Sequence, residues 1–531
     1  MTNRAYRVGI IGVGNVGAHL ARELLKHPQI VQLNLSRRNV EELQGIGYDL
    51  EDAVATDDVG RIVLNDGDYD TLKRESDIVV VCLKNPDYDY RDLISMGADL
   101  RVAPLRKDSP LITEVAEGLQ GFGGYVVNIS NPTEVTTRAI QDIAGLDPGR
   151  VFSFGTALDA QRHQGSVRRL LGLRSQEVHD VYFIGSHSPL GVPLNSQVRV
   201  NGASLHESLD QAIAAHPDFA SFIAAQRVTN GTSAADYFTT LTDPSTSLRK
   251  LMGGYLNSVG IREGMSLQEL FAEQGDRKGF FTLLNTLTKM RGYSIIINRG
   301  TVVYGLDRPV LSTLEFLMNP NSSDIIPLGG YEPTAGIHVG QLARWNGRSI
   351  EYFLPLTIDE QERIAYARSI QALQKAYGEQ RGFFTRKPVL TLLLADDQRG
   401  LVELLERTIY RCYQSDEELS GLFDLRIVKA TNGRDAVNPQ ITGEGIDIAV
   451  LDIRMPDQNG VRVAEQLRRA NPHLRLVIHS AYLGDLLRDQ NIKADVCIDK
   501  GTVNYGDLWQ HIRPVIMNTY QTYGKHRAIA R

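Results

Sequence analysis

At 531 residues the chain exceeds what one hydrophobic core organises, so two or three domains are expected. Its 42% hydrophobic and 23% charged residues with a formal charge of −6 are ordinary for a globular protein, and no basic excess points to nucleic acid or an anionic membrane. No apolar run approaches a bilayer span, the N-terminus enters a strand pattern directly, and the widely spaced Cys82, Cys412 and Cys497 argue against a disulfide framework or cysteine zinc site, so a cytoplasmic protein is expected.

The first third alternates short apolar runs, "RVGIIGVG", "IVQLNL", "DIVVVCL" and "GYVVNIS", with helical or loop stretches. That is the pattern of a parallel sheet with crossover helices, and residues 1–150 are expected to form a doubly wound, Rossmann-type NAD(P)-binding domain. Gly12-x-Gly14-x-x-Gly17 follows the first strand and opens a helix. The glycines permit a tight turn, close approach of backbone to a pyrophosphate and close helix–strand packing, while the helix N-terminus favours phosphate charge. A glycine pattern alone is weak evidence; its place between strand and helix assigns Gly12, Gly14, Asn15, Val16 and Gly17 to a dinucleotide. The second strand ends in Ser36-Arg37-Arg38, where an acidic residue would receive the ribose 2′-hydroxyl of NAD. A hydroxyl and two guanidiniums suit a 2′-phosphate and favour NADP over NAD; the plain alternative is a pair of solvated surface arginines.

Residues 151–378 read as an α+β substrate domain, with a mostly helical stretch over 204–291. Thr357 and Glu360 as a capping box, apolar positions at Ile364, Ala367, Ile370, Leu373 and Tyr377, and Gly378 as a stop predict a late helix. Residues 379–388 are charged and broken by glycine and proline, as a linker is. Over 389–520, "VLTLLLADD", "IDIAVLD", "LRLVIHS" and "ADVCIDK" predict a second, smaller parallel sheet. The basic tail, 521–531, is too short for a nucleic-acid-binding domain.

Within the first two domains, "NISNPTE" with Asn131, "GTALDAQRH" with Asp159 and Arg162, and "FIGSHSPLGVP" with His187 follow in order. Each is unremarkable alone: a histidine in a glycine-rich loop is more often structural, and an Asp–Arg pair three apart is usually a surface helix pair. Together the motifs resemble those of the lactate/malate dehydrogenase family, in the same order and at similar separations. Hydride exchange with a 2-oxo acid needs a group that trades a proton with the carbonyl oxygen, and His187 titrates nearest neutrality. Asp159 would fix its tautomer and stabilise the imidazolium, and Arg162, on the same helix face, would anchor the substrate carboxylate. The resemblance further implies that Asn131 bonds the substrate oxygen or nicotinamide, that Ser294 in "KMRGYSIIINRG" lines the substrate pocket, and that the protein is a homo-oligomer. It also calls for an arginine on the loop "KNPDYDYRDLISMGADLRVAPLRKD"; Arg101 is preferred for its distance from the following helix, with Arg91 and Arg106 open. The loop is longer than in relatives, and Ser186 and Ser188 flank His187 where relatives carry Glu and Gly, so lactate, malate and bulkier hydroxy acids are not ranked.

The C-terminal domain resembles response-regulator receivers, of flavodoxin-like (αβ)5 fold, through Asp396-Asp397, Asp452 in "VLDIRMPDQNG", Ser480-Ala481 and Lys500. Carboxylates gathered at strand ends suit Mg, held by Asp396, Asp397 and Asp452. The resemblance implies Asp452 as phosphoacceptor, Lys500 and Ser480 as partners of the phosphoryl group, and a histidine kinase or phosphotransfer protein as donor. Gly501 replaces the usual proline after the lysine, and Cys497 an aromatic residue. The expected protein is a nicotinamide-dependent 2-hydroxy-acid dehydrogenase modulated by phosphorylation. The rival expectation is a signalling scaffold that merely binds the dinucleotide.

Overall fold

The computed structural model describes residues 5–55, 61–65, 67–95, 100, 102–229, 231–384, 389–438, 445–483, 494–502 and 505–521. It divides into two compact units, Met1–Thr385 and Arg386–Arg531.

The first unit is built on a nine-stranded sheet. Six parallel strands lie in the order Arg61–Asn65, Ile30–Ser36, Tyr6–Ile11, Ile78–Val81, Tyr125–Asn128, Val151–Ser153. Antiparallel strands Ile326–Glu332, Ile337–Trp345 and Ile350–Phe353 extend it. Val8, Ile10, Ile78, Val79, Val80, Val81, Val126 and Val127 are fully buried, as strands covered on both faces must be. Chain order reverses between Tyr6–Ile11 and Ile78–Val81, so the ligand crevice of such a sheet opens at their carboxyl ends.

Residues 204–291 are largely helical, as expected, with a short hairpin, Arg227–Thr229 against Thr232–Ser233, among them. They close a separate apolar core around Phe219, Phe238, Phe280 and Leu283. The last helix of this region runs on through Asp276–Arg299.

Two local expectations are corrected. The late helix, Glu360–Gln380, is capped by Asp359, whose side chain accepts from Glu362 N at 2.8 Å, and not by Thr357, whose hydroxyl bonds Gln197 instead. Glu362 also bonds Ser196 N and Oγ, so a tertiary contact selects this register. Nor does Gly378 stop the helix: it continues to Gln380, and a 3-10 turn, Arg381–Phe384, buries Phe384 in a cluster with Leu105 and Ile112. The first half of the expected linker is thus packed structure.

The second unit is a five-stranded parallel sheet ordered Asp424–Ala430, Val389–Ala395, Ile448–Leu451, Arg475–Ser480, Val496–Asp499. One apolar core lies around Leu392, Val450 and Ile512, a second around Leu393, Leu451 and Val463, which is the doubly wound flavodoxin-like arrangement. Among the described residues no helix is long and apolar enough to cross a membrane.

Candidate functional site

The glycine turn sits at the carboxyl end of Tyr6–Ile11. Gly12 has φ +93°, and a Cβ there would lie 2.2 Å from the carbonyl oxygen of Cys82 on the neighbouring strand end. A Cβ at Gly17 would lie 2.6 Å from Gly12 O, so only glycine lets the helix Asn15–Leu25 begin so close to its strand. Above Gly14 nothing is nearer than Arg37 Nη1 at 3.8 Å, and no side chain caps the helix. A bare helix N-terminus over an open glycine turn fits a dinucleotide pyrophosphate. Asn15 and Val16 form its first turn. Ser36 is buried at the end of the second strand, its carbonyl accepting from Gly12 N at 3.0 Å. Arg37 reaches back to Val13 O at 2.6 Å and pairs with Glu42. Arg38 leaves this group and pairs with Glu114.

The second constellation is assembled from two segments. The helix Gly155–Leu170 presents Asp159 and Arg162 one turn apart, and Arg162 Nη1 donates to Asp159 Oδ1 at 3.1 Å. The other carboxylate oxygen of Asp159 lies 2.7 Å from His187 Nδ1. Burial alone would push the Asp159 carboxyl up, but His187 and Arg162 outweigh it and hold Asp159 below its usual range. Burial likewise works to lower His187, and the Asp159 charge and hydrogen bond overcome it, so the imidazole is raised above its ordinary 6.5. With Nδ1 committed to Asp159, Nε2 is the nitrogen free to exchange a proton. His163, one residue after Arg162, is the contrasting case. Its ring bonds Thr288 Oγ1 and Asn195, and burial pushes it down to about 4, so it is a neutral structural histidine.

Three residues outside the sequence-based assignment position this pair. Glu134, 2% exposed, accepts the backbone N–H of His187 at 2.6 Å. Gly155 lets the histidine loop settle on the helix, since a Cβ there would fall 2.1 Å from His187 Cβ. Gly292 does the same for Arg162, whose Nη1 would be 3.0 Å from its Cβ. An acidic residue in a first helical turn reads as a dipole partner, and glycines in helices read as weak points, so none of these carried a signal of contact. Lys289, from the same helix as Gly292, is pushed down to about 8 by burial, with the Asp159 charge opposing.

The remaining expected residues lie elsewhere. Asn131 is exposed before Pro132, to which it is joined by a cis peptide. Ser294 bonds Tyr237 OH at 2.7 Å. Arg91 spends its fork on Asp89, with Nη2 2.7 Å from Oδ2, and faces Gly300. Arg106 stacks on the Phe383 ring at 5.2 Å. Arg101 lies outside the described residues.

In the second unit, Asp396 follows the strand Val389–Ala395 and Asp452 follows Ile448–Leu451. Both are buried, while Asp397 is exposed, and ligand oxygens of all three lie within 4.8 Å of one another. An all-oxygen set of this kind fits a hard cation such as Mg. Lys500 Nζ reaches Asp396 Oδ2 at 2.6 Å and Asp452 Oδ2 at 2.5 Å, and Ser480 Oγ donates to Asp452 Oδ1 at 2.5 Å. The expected acceptor, metal, lysine and hydroxyl positions thus meet at one point.

Residues 6–153 match the family described as lactate/malate dehydrogenase, NAD binding domain, and residues 392–512 match the response regulator receiver domain. L-lactate dehydrogenase 2 of Lactococcus lactis subsp. lactis (strain IL1403) is 29% identical over 204 residues, 38% of this chain and 61% of that protein. The chain thus spans about three fifths of the length of that relative. L-lactate dehydrogenase of Limosilactobacillus reuteri is 24% identical over 382 residues, 71% of this chain and 95% of that protein. Among solved structures, MGS-M5, a lactate dehydrogenase from a Medee basin deep-sea metagenome library, superposes with a TM-score of 0.51 at 18% identity, covering 71% of this chain and 99% of its own. Malate dehydrogenase of Cryptosporidium parvum gives 0.50 at 16%, covering 71% and 99%. At these identities the structural likenesses establish the fold.

Proposed function

We propose that this chain, which joins a lactate/malate dehydrogenase NAD-binding domain to a response-regulator receiver domain, is a nicotinamide-dependent 2-hydroxy-acid dehydrogenase whose turnover responds to phosphorylation of Asp452. The observation that carries the reading is the carboxylate of Asp159, which bonds His187 Nδ1 and Arg162 Nη1 at once.

The turn of Gly12, Gly14, Asn15, Val16 and Gly17 would hold a nicotinamide cofactor, which would supply the ring carbon that gives or takes the hydride. His187 Nε2 donates a proton to the carbonyl oxygen as a 2-oxo acid is reduced and recovers it from the hydroxyl in the reverse direction. Asp159 holds the imidazolium that alternates in this exchange. Arg162 pairs its free edge with the substrate carboxylate and fixes which carbon faces the ring. Asn131 bonds the substrate oxygen or the nicotinamide, and a loop arginine, Arg101 by preference with Arg91 and Arg106 as alternatives, polarises the carbonyl. NADP is favoured over NAD. The support is the Ser36-Arg37-Arg38 sequence, with no acid at the ribose position, and Arg37 standing beside Gly14, where it would exchange Glu42 for a 2′-phosphate.

In the receiver, Asp396, Asp397 and Asp452 would hold Mg, Asp452 would accept the phosphoryl group from a histidine kinase or phosphotransfer protein, and Lys500 and Ser480 would bond it. A spectrophotometric screen of 2-oxo acids with NADPH and NADH, each with and without acetyl phosphate, tests the whole reading. Turnover with a 2-oxo acid, faster with NADPH and altered by acetyl phosphate, is expected. Dinucleotide binding without turnover on any 2-oxo acid would overturn the enzyme assignment.

A further inference from the structure

The loop that carries His187 is flanked by the paired strands Phe183–Ile184 and Val192–Pro193. Both strands pack on the late helix Glu360–Gln380, where Ile184, Val192 and Leu194 share one apolar cluster with Tyr366 and Leu373. Two polar side chains of that helix hold the loop at its two ends. Ser369 Oγ accepts the backbone N–H of Ser186, the residue before His187, at 2.9 Å. Glu362 accepts from Ser196 N at 3.0 Å and from Ser196 Oγ at 2.5 Å.

These contacts leave little slack. Ser369 is fully buried, and a Cβ at Gly185 would lie 2.6 Å from its Oγ, so the loop backbone is pressed against the helix there. Gly185 is pinned from its other side, exchanging N–H···O bonds with Gly340 at 2.8 Å in both directions. Serine is a poor helix former, and a buried hydroxyl needs a partner, which here is the Ser186 N–H. Glu134 and Asp159 hold His187 from helices that follow strands of the dinucleotide sheet. Ser369 holds the loop from a helix that leads out of the first unit. After Gln380 come the 3-10 turn Arg381–Phe384 and then Arg386, where the second unit begins. This end of the helix is tied down by Tyr377 OH, which donates to Asp142 Oδ2 at 2.7 Å, and by Thr113 Oγ1, which donates to Phe384 O at 3.3 Å.

We propose that Ser369 and Glu362 are positioning residues for His187, and that the helix bearing them is the route by which phosphorylation of Asp452 reaches the site. The route rests on the reading of the chain as a dehydrogenase modulated by its receiver. Helices shift as stiff bodies, by about 1–2 Å at packed interfaces, in many couplings of this kind. His187 Nε2 has to stand within hydrogen-bond reach of the substrate oxygen, and misplacement by about 1 Å is worth on the order of 10²-fold in rate. A change at the junction end that moves Ser369 this far carries Ser186 with it, and so the imidazole. No new contact with the substrate is required.

The test uses the full-length protein with Mg, with and without acetyl phosphate. It follows label on Asp452, amide hydrogen exchange over residues 183–196, and kcat and KM with pyruvate or oxaloacetate, whichever is turned over faster. Labelling should change loop exchange about fivefold or more and change kcat with it, and Asp452→Ala should show neither effect. Ser369→Ala and Glu362→Ala should each lower kcat about tenfold with a smaller effect on KM, and lose most of the response in exchange and kcat although Asp452 is still labelled. Glu362→Gln, which keeps an oxygen for the Ser196 N–H, should retain most of it. Circular dichroism checks folding, and if one alanine variant does not fold, the other decides against Glu362→Gln. Alanine variants with native kcat remove the positioning role. Label that alters kcat but not loop exchange, or a response undiminished in both alanine variants, overturns the route and leaves the modulation reading intact. Label that alters neither overturns both. Loop exchange that responds to label in a protein that turns over neither acid removes the dehydrogenase reading and upholds the route.

Discussion

The carboxylate of Glu134 accepts the backbone N–H of His187 at 2.6 Å, across 53 residues of sequence. Glu134 sits in the first turn of the helix Thr133–Ala144, just after the cis Asn131–Pro132 junction, and is buried. It ties the proposed proton-transfer loop to the helix that leaves the dinucleotide sheet. Glu134→Ala would strand a buried N–H at a cost of about 1–3 kcal/mol and let the imidazole drift. Glu134→Gln keeps an acceptor oxygen. The alanine variant should lose kcat more than it raises KM, and glutamine should restore most of it. Equal behaviour of the two variants would show that Glu134 does not position His187.

Under the proposed mechanism, Asp159 sets the pH at which His187 would work. It holds the imidazole above 6.5 against burial, so 2-oxo acid reduction, which needs the protonated ring, should persist above that value and decline as pH rises through the raised one. In Asp159→Asn the largest influence that opposes burial is gone, and the decline should move to lower pH. At neutral pH the rate should fall roughly 10²- to 10⁴-fold. The pH profiles of kcat/KM for the two proteins check this, and an unmoved profile would detach Asp159 from the histidine.

Asp108 anchors the stretch after the strand Ile78–Val81, accepting from Asn85 N at 2.7 Å and Tyr88 OH at 2.8 Å. Burial pushes it up to about 6, with those two hydrogen bonds opposing. Its folded value lies above the ordinary 3.8, so folding takes up a proton. The stability it contributes is present below about 4 and lost as pH rises through about 6. The loss is on the order of 2–3 kcal/mol. Urea unfolding across that window should show a fall in the native protein that Asp108→Asn lacks. Parallel curves would place the titration elsewhere.

In the receiver, Lys500 bridges Asp396 and Asp452. Acetyl phosphate should label the protein in a Mg-dependent way, and Asp452→Ala and chelation should each abolish the label. Lys500→Ala should retain the acceptor yet slow labelling. Full labelling of Asp452→Ala would move the acceptor to another residue.

Much of this was legible in the chain because its information is local. Alternating apolar runs announce both parallel sheets, the spacing Gly12-x-Gly14-x-x-Gly17 specifies a turn only glycine can make, and Asp159 and Arg162 share a helix face by periodicity alone. Capping was less so: Asp359 and Thr357 both suit an N-cap, and Glu362 chose between them through Ser196, distant in sequence. What only tertiary structure decided are contacts between segments that carry no shared pattern. The meeting of Glu134 with His187 and the space that Gly292 opens for Arg162 are of this kind. Sequence sets which groups exist and which local shapes they favour. Burial and packing set which charges must face one another.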